Sequence, residues 1–72
     1  MSLNNFEYTA LDVQKVLEKN KKPITMKNIK IVFEKVDQNI ITQKASKGRN
    51  PPEQMSLLIS TLESEMMRAK VI

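Results

Sequence analysis

Apolar residues recur along the N-terminal part of this chain at intervals of three and four, which is the period of an α-helix. The first stripe consists of Ala10, Val13, Val16 and Leu17. Thr9 precedes Asp12 by three residues, a variant of the capping box that begins many helices. Pro23 disfavours helical backbone at the residue before it. We therefore predict a short first helix over residues 9–20.

The second apolar stripe begins after Thr25 and has the narrow four-three-four spacing that is typical of paired helices. Its seam consists of Ile29, Phe33, Val36 and Ile40, and Val32 lies beside it. Lysine and acidic residues occupy most of the remaining positions. The pattern predicts a single helix over residues 25–44. We expect Gly48, the only glycine, to adopt the left-handed conformation that ends many helices.

The third stripe follows Asn50, a good N-cap residue, and two prolines that fit the first turn of a helix. Its seam consists of Met55, Ile59, Leu62, Met66 and Ala69. Further apolar residues lie outside this seam, namely Leu57, Leu58, Met67, Val71 and Ile72. The pattern predicts a helix over residues 51–70 that is apolar over much of its circumference.

Together these patterns predict an all-α fold, an antiparallel helical hairpin with an additional short N-terminal helix, in a single domain of residues 1–72. A domain of this length buries only about 60% of the surface of its unfolded chain. The absence of cysteine and histidine excludes disulfides and the usual zinc sites as supports. Small domains without such supports often depend on a partner, which makes binding to another protein the expected function.

No pattern of an enzyme is present in the sequence. There is no histidine to act as a general base, no cysteine nucleophile and no glycine-rich phosphate loop. Glu63 and Glu65 are two positions apart, so a helix directs them to different sides. We expect neither catalysis nor a cofactor. No apolar run approaches the roughly 18 residues that cross a bilayer, so we expect no membrane insertion and a cytoplasmic location.

The third helix has more apolar surface than one neighbouring helix can cover. We predict that a protein partner contacts the residues Met55, Leu58, Ile59, Leu62 and Met66. Two alternatives remain open at the level of sequence. The same residues can form intramolecular core together with the first helix, or two copies of the hairpin can pair as a homodimeric four-helix bundle.

The positive charge of the chain indicates a different alternative, a small DNA-binding regulator. The net charge is +4, and most of the basic residues lie in the first two thirds of the chain. Residues 16–25 read as the end of one helix, a basic turn and the cap of the next. Phosphate contacts would then come from Lys21, Lys22, Lys27 and Lys30. A short recognition helix and a wing are not apparent, so nucleic acid is the less favoured partner.

A resemblance to a known family rests on the second half of the chain. The run Val32-Phe33-Glu34-Lys35-Val36, the segment Lys47–Gln54 with Pro52-Glu53-Gln54, and Thr61-Leu62-Glu63 together resemble the small E-class co-chaperones of type III secretion systems. The first helix is a departure, because that family places more of its length in one long N-terminal helix. The resemblance implies a non-enzymatic protein that stabilises a tetratricopeptide-like chaperone and helps to keep the needle subunit soluble before export.

Overall fold

The computed structural model describes residues 7–72, and within this range the chain forms four helices and no strand. Their bounds are α1 Ala10–Lys19, α2 Met26–Lys35, α3 Gln38–Ala45 and α4 Pro51–Arg68. The predicted all-α fold is confirmed. The first six residues of the predicted domain lie outside the described residues.

Three of the four helices begin at the residues that the sequence indicates. At α1 the Thr9 amide donates to the Asp12 carboxylate over 2.8 Å, and the Asp12 amide donates back to the Thr9 hydroxyl over 3.3 Å. At α4 the Glu53 amide donates to Asn50 Oδ1 over 2.9 Å. Thr25 caps α2 in the same way, accepting from the Asn28 amide. Each cap satisfies an N–H group that has no partner within its helix.

Instead of one helix over residues 25–44, the structure has two, and this corrects the prediction for the second segment. Val36 adopts extended backbone angles, φ −107° and ψ 112°, and ends α2. Asp37 then begins α3 by accepting a hydrogen bond from the Asn39 amide at 2.9 Å. An aspartate that caps a new helix directly after a β-branched residue favours interruption over continuation.

The interruption changes which side of the second segment faces the core. A continuous helix would place Phe33 and Ile40 on the same face as Ile29 and Val36. In the structure Phe33 and Ile40 are 42% and 38% exposed. The buried positions of α2, the break and α3 are Ile29, Val32, Val36, Ile41 and Ala45. The core therefore takes residues on both sides of the break that no single helical seam contains.

Tyr8 holds the break in place from a position 24 to 30 residues earlier in the chain. Its hydroxyl lies 3.1 Å from the Val32 carbonyl oxygen and 2.8 Å from that of Val36, and donates to the end of α2. Its backbone amide donates to Gln38 Oε1, and its carbonyl accepts from Gln38 Nε2, both over 3.0 Å. The Val32 carbonyl also accepts from the Val36 amide, whereas the Val36 carbonyl lies beyond the last residue of α2 and receives its donor from Tyr8, as buried polar groups require.

The ring of Tyr8 is buried while its neighbour Phe33 stays partly exposed. The two rings stack with centroids 4.8 Å apart and an interplanar angle of 28°. Burial, and secondarily the negative charge of Asp37, raises the pKa of Tyr8 from 10.0 to about 12. The folded chain therefore favours the neutral phenol, which is the form that donates the hydrogen bond to the end of α2.

The core is one cluster to which all four helices contribute. Its apolar members are Tyr8, Val13, Val16, Leu17, Ile29, Val32, Val36, Ile41, Ala45, Leu58, Leu62 and Met66. Ile59, Val71 and Ile72 pack against this cluster from positions that are partly exposed. α3 packs chiefly against α4, and α1 bridges α4 and α2. The N-terminal helix is therefore a full part of the core.

A polar contact fixes the end of α1 to α4. Glu63 accepts from Lys19 Nζ over 3.1 Å and from Asn20 Nδ2 over 3.0 Å. The same Asn20 amide group donates to the Val16 carbonyl over 2.8 Å and so ties the contact to the last turn of α1. Hydrogen bonding from Asn20 and then Lys19 lowers the pKa of Glu63. Glu63 therefore fixes the position of α1 on α4.

Gly48 does not adopt the left-handed conformation that the sequence suggested. Within residues 7–72 positive φ angles occur at Lys21 and Lys70, the residues that follow the last turns of α1 and α4. Gly48 is needed for a different reason, because the first turn of α4 lies against it. A Cβ atom at position 48 would lie 2.8 Å from the backbone nitrogen of Gln54 and 2.9 Å from its Cα.

Alkaline pH should destabilise the fold through Tyr8. A group whose pKa is raised by folding contributes stability that is fully present below its unfolded pKa, here 10.0, and is lost as the pH rises towards the folded value of about 12. Tyr8 is the only tyrosine and tryptophan is absent, so tyrosinate absorbance reports this residue alone. Urea unfolding across this pH range measures the loss.

The variant Tyr8→Phe is the control for this effect. It removes the hydroxyl donor, which should lower the free energy of unfolding at neutral pH by about 1–3 kcal/mol. It should also abolish the part of the alkaline loss that wild type shows between pH 10 and about 12. A folded wild-type protein whose tyrosine titrates near its ordinary pKa would contradict the burial of this hydroxyl.

Gly48→Ala should destabilise the chain by about 1–3 kcal/mol, because the added methyl group meets backbone atoms of Gln54 that a side-chain rotation cannot move. Lys47→Ala, at the exposed neighbouring position, should change stability by about 0.5 kcal/mol or less. Thermal unfolding followed by circular dichroism compares the two variants. Equal stability of Gly48→Ala and wild type would show that the connection and α4 do not pack closely.

Candidate functional site

The apolar stripe of α4 is longer than the surface that the other helices cover. Met55, Ile59, Leu62 and Met66 are spaced by four, three and four residues and so lie along one face of the helix. Leu62 and Met66 are fully buried, Ile59 is partly buried, and Met55 is 51% exposed. The stripe thus leads from the core to solvent towards the N-terminal end of α4.

The structure divides the five residues that the sequence predicts as a partner-binding surface. Leu58, Leu62 and Met66 belong to the core of the chain itself, so their side chains are not available on the surface of the folded monomer. Met55 and Ile59 remain accessible in full or in part. The accessible part of the predicted surface is therefore smaller than the sequence suggested, and we call Met55 with Ile59 the α4 end patch.

Met67 offers an internal comparison for this patch. It is the same residue type on the same helix, and its exposure of 52% matches the 51% of Met55. Twelve positions separate the two, which places Met67 about 120° around the helix from Met55. Only Met55 continues the line of the buried stripe. A comparison of variants at Met55 and Met67 therefore distinguishes the effect of an exposed methionine from the effect of its position on the helix.

The start of α4 also contains one of the three runs on which the family resemblance rests, and in this structure its residues act on the helix terminus. Pro51 and Pro52 occupy the first two helical positions. Glu53 accepts from the Arg49 amide over 2.7 Å, and the Gln54 side chain reaches the Gly48 carbonyl at 3.4 Å. These contacts fix the connection between α3 and α4 directly beside the α4 end patch.

The four lysines of the DNA-binding alternative lie together in sequence and are all exposed. Lys21 and Lys22 follow α1, and Lys27 and Lys30 lie on the first turns of α2. No acidic residue occurs between Lys19 and Phe33. Among residues 7–72 the salt bridges are Lys19–Glu63 and Arg68–Glu65, so none of these four lysines is paired with a carboxylate.

Two exposed apolar side chains between these lysines were not singled out by the sequence pattern. Ile24 is 48% and Met26 is 72% exposed. Both flank Thr25, the cap of α2, and neither belongs to a buried stripe. Their exposure follows from the end of α1 at Asn20 and the turn that Lys21 makes with φ 57°. The only indication of this exposure in the sequence is a group of lysines with Ile24 and Met26 between them, next to Pro23.

Cavities and metal-ligating clusters are absent from the described part of the chain. Residues 7–72 contain no cavity and no group of carboxylate side chains that could hold a metal ion. In the same range no helix is both long and apolar enough to cross a membrane. Comparison of the chain with protein-family models, with curated proteins and with solved structures finds no match.

Truncation of α4 side chains should separate core residues from the α4 end patch. Leu62→Ala should lower the free energy of unfolding by about 2–5 kcal/mol, because it leaves a cavity in the core. Met55→Ala should change it by about 0.5 kcal/mol or less. Urea unfolding measures both. A large loss for Met55→Ala in a monomer would mean that Met55 is packed in solution.

Proposed function

We propose that this chain is a non-enzymatic protein-binding module that contacts a partner through the α4 end patch. The observation that carries the proposal is the continuation of the buried stripe of α4 to the half-exposed Met55. An apolar stripe that leaves the core and ends in solvent provides a surface that a second helix can extend. Methionine suits such a surface, because its flexible thioether adapts to irregular partners.

The size of the core adds a second argument. Within residues 7–72 only twelve apolar residues are buried, and seven large apolar side chains remain 38–72% exposed. Scattered exposed apolar residues are normal on a protein surface. Of the seven, Met55 belongs to the α4 end patch, and a partner that covers Met55 and Ile59 would enlarge the small core. Binding would then stabilise the folded chain by mass action.

The more specific form of the proposal is a co-chaperone. The resemblance of residues 32–63 to the small E-class proteins supports a helical-repeat chaperone as the partner, with the type III secretion needle subunit as the protein that the complex keeps soluble. A small helical protein can cover the exposed apolar end of a repeat array, as a capping repeat does. This role would place the chain in the cytoplasm of a secreting cell.

The test compares Met55→Asp with Met67→Asp, which introduce the same charge at equally exposed positions of one helix. Both variants should keep the helical circular dichroism and thermal midpoint of the wild type. Tagged wild type and Met67→Asp, captured from the source cell at moderate salt with nuclease, should retain a helical-repeat chaperone and a needle-like subunit. Met55→Asp should lose both, with an affinity reduced at least about ten-fold.

Three results would overturn parts of this proposal. Retention of the partners by Met55→Asp would exclude the α4 end patch as the interface. Partners of another class would exclude the secretion role and leave protein binding in place. A purified wild type that sediments as a dimer, with Met55→Asp a monomer, would assign the patch to a second copy of the chain in a homodimeric bundle.

A further inference from the structure

A second exposed surface, which shares no residue with the α4 end patch, lies in the segment that joins α1 to α2. All seven residues from Lys21 to Lys27 are exposed. We call residues 21–30 the basic tip. Its exposed members include the lysines at 21, 22, 27 and 30 and the apolar residues Ile24 and Met26. Ile29 is buried and anchors this tip to the core.

The charge of the basic tip is uncompensated. Residues 20–33 contain four lysines and no acid. In the described range no carboxylate pairs with any of the four, and Lys19, the nearest other lysine, is already bonded to Glu63. The first turn of α2 adds the partial positive charge of a helix N-terminus. The tip therefore attracts a surface of negative charge.

The apolar residues indicate which kind of negative surface it is. Ile24 and Met26 are 48% and 72% exposed and lie between Lys22 and Lys27 in the chain. Interfacial proteins combine lysines, which bind lipid phosphates, with aliphatic side chains that enter the boundary of the acyl chains. The strength of such binding grows with the apolar area that enters the bilayer surface and with the attraction of the lysines to anionic lipids. The basic tip contains both kinds of side chain within ten residues.

The features of a nucleic-acid surface are less well represented at the same place. Aliphatic side chains have no π-face on which a base can stack, and the tip has no arginine to read guanine. The amides that could read bases are engaged within the chain. Asn28 Nδ2 donates to the Pro23 carbonyl over 2.8 Å, and Asn20 Nδ2 donates to Val16 and Glu63.

A protein partner also fits this surface less well. Lysine is depleted in the centre of protein interfaces, whereas here lysines surround the two apolar residues. The tip contains a run of consecutive exposed residues, and the described part of the chain has no cavity. A lipid surface adapts to the shape of such a run and requires no matching groove.

We infer that the basic tip binds the surface of an anionic lipid bilayer, with the lysines on lipid phosphates and Ile24 and Met26 at the headgroup boundary. The chain lies on the bilayer and does not cross it. This inference is independent of the proposed partner at the α4 end patch, since the two surfaces share no residue. Met55→Asp should therefore leave lipid binding unchanged.

The test is sedimentation of the purified chain with vesicles at about 0.1 M salt, where the Debye length is about 10 Å. Vesicles of equal parts phosphatidylglycerol and phosphatidylcholine should bind the protein, and vesicles of phosphatidylcholine alone should not. The pair Lys22→Gln with Lys27→Gln should weaken binding about 25-fold, roughly five-fold for each lysine. The pair Ile24→Ser with Met26→Ser should weaken it about ten-fold without any change of charge.

A matched control removes the same charge elsewhere. Lys44 and Lys47 lie at the exposed end of α3, and their replacement by Gln should leave vesicle binding within about two-fold of wild type, because surface attraction falls off within a Debye length. Thermal unfolding establishes that each variant remains folded. Because all the substituted side chains are exposed, none should shift the midpoint strongly.

Four outcomes would overturn the inference. The first is absence of binding to anionic vesicles, and the second is an equal loss for the Lys44 and Lys47 control, which would show attraction by net charge alone. The third is unchanged binding of the Ile24 and Met26 pair. The fourth is binding to duplex DNA that depends on Lys22 and Lys27 while vesicles are not bound, which would assign the tip to nucleic acid.

Discussion

The hydrogen bonds of Tyr8 are the contact on which the arrangement of the helices depends. The Tyr8 hydroxyl donates to the carbonyl groups at the end of α2, its backbone pairs with Gln38 in α3, and its ring stacks on Phe33. Tyr8 thereby keeps the second segment in two pieces. The division turns Ile41 and Ala45 towards α4, and α4 in turn receives α1 through Glu63. The path of the chain follows from a buried phenol that remains neutral.

Features that depend on local chemistry could be predicted from the sequence. The caps at Thr9, Thr25 and Asn50 each involve a residue and an amide three positions later, so a short window contains the whole interaction. The break at Val36 has a local contribution, the Asp37 cap of α3, and a second from Tyr8, which is far away in the chain. The spacing of apolar residues within one segment contains no information about a contact with Tyr8. It therefore extended one helix through Val36 and placed Phe33 and Ile40 on the wrong face.

Long-range contacts also limited the prediction of the candidate site. The sequence identified α4 as too apolar for one neighbour, and Met55 is indeed left exposed. It could not show that Leu58, Leu62 and Met66 are covered by the chain itself, because that depends on how α1 and α3 approach α4. Exposed residues outside any stripe, such as Ile24 and Met26, carry no periodic signal. Only the structure shows that both side chains are exposed beside the exposed lysines of the basic tip.

The position of α4 after the other three helices affects how the protein folds during its synthesis. α4 supplies Leu58, Leu62 and Met66 to the core, yet the ribosome makes it after α1, α2 and α3. Until α4 emerges, α3 lacks the helix that it chiefly packs against and α1 has only α2 beside it, so a nascent chain in that state is exposed to aggregation and to proteases. The complete core therefore forms only after α4 is made, and a chain interrupted within the connection after Ala45 would lack every α4 residue of that core.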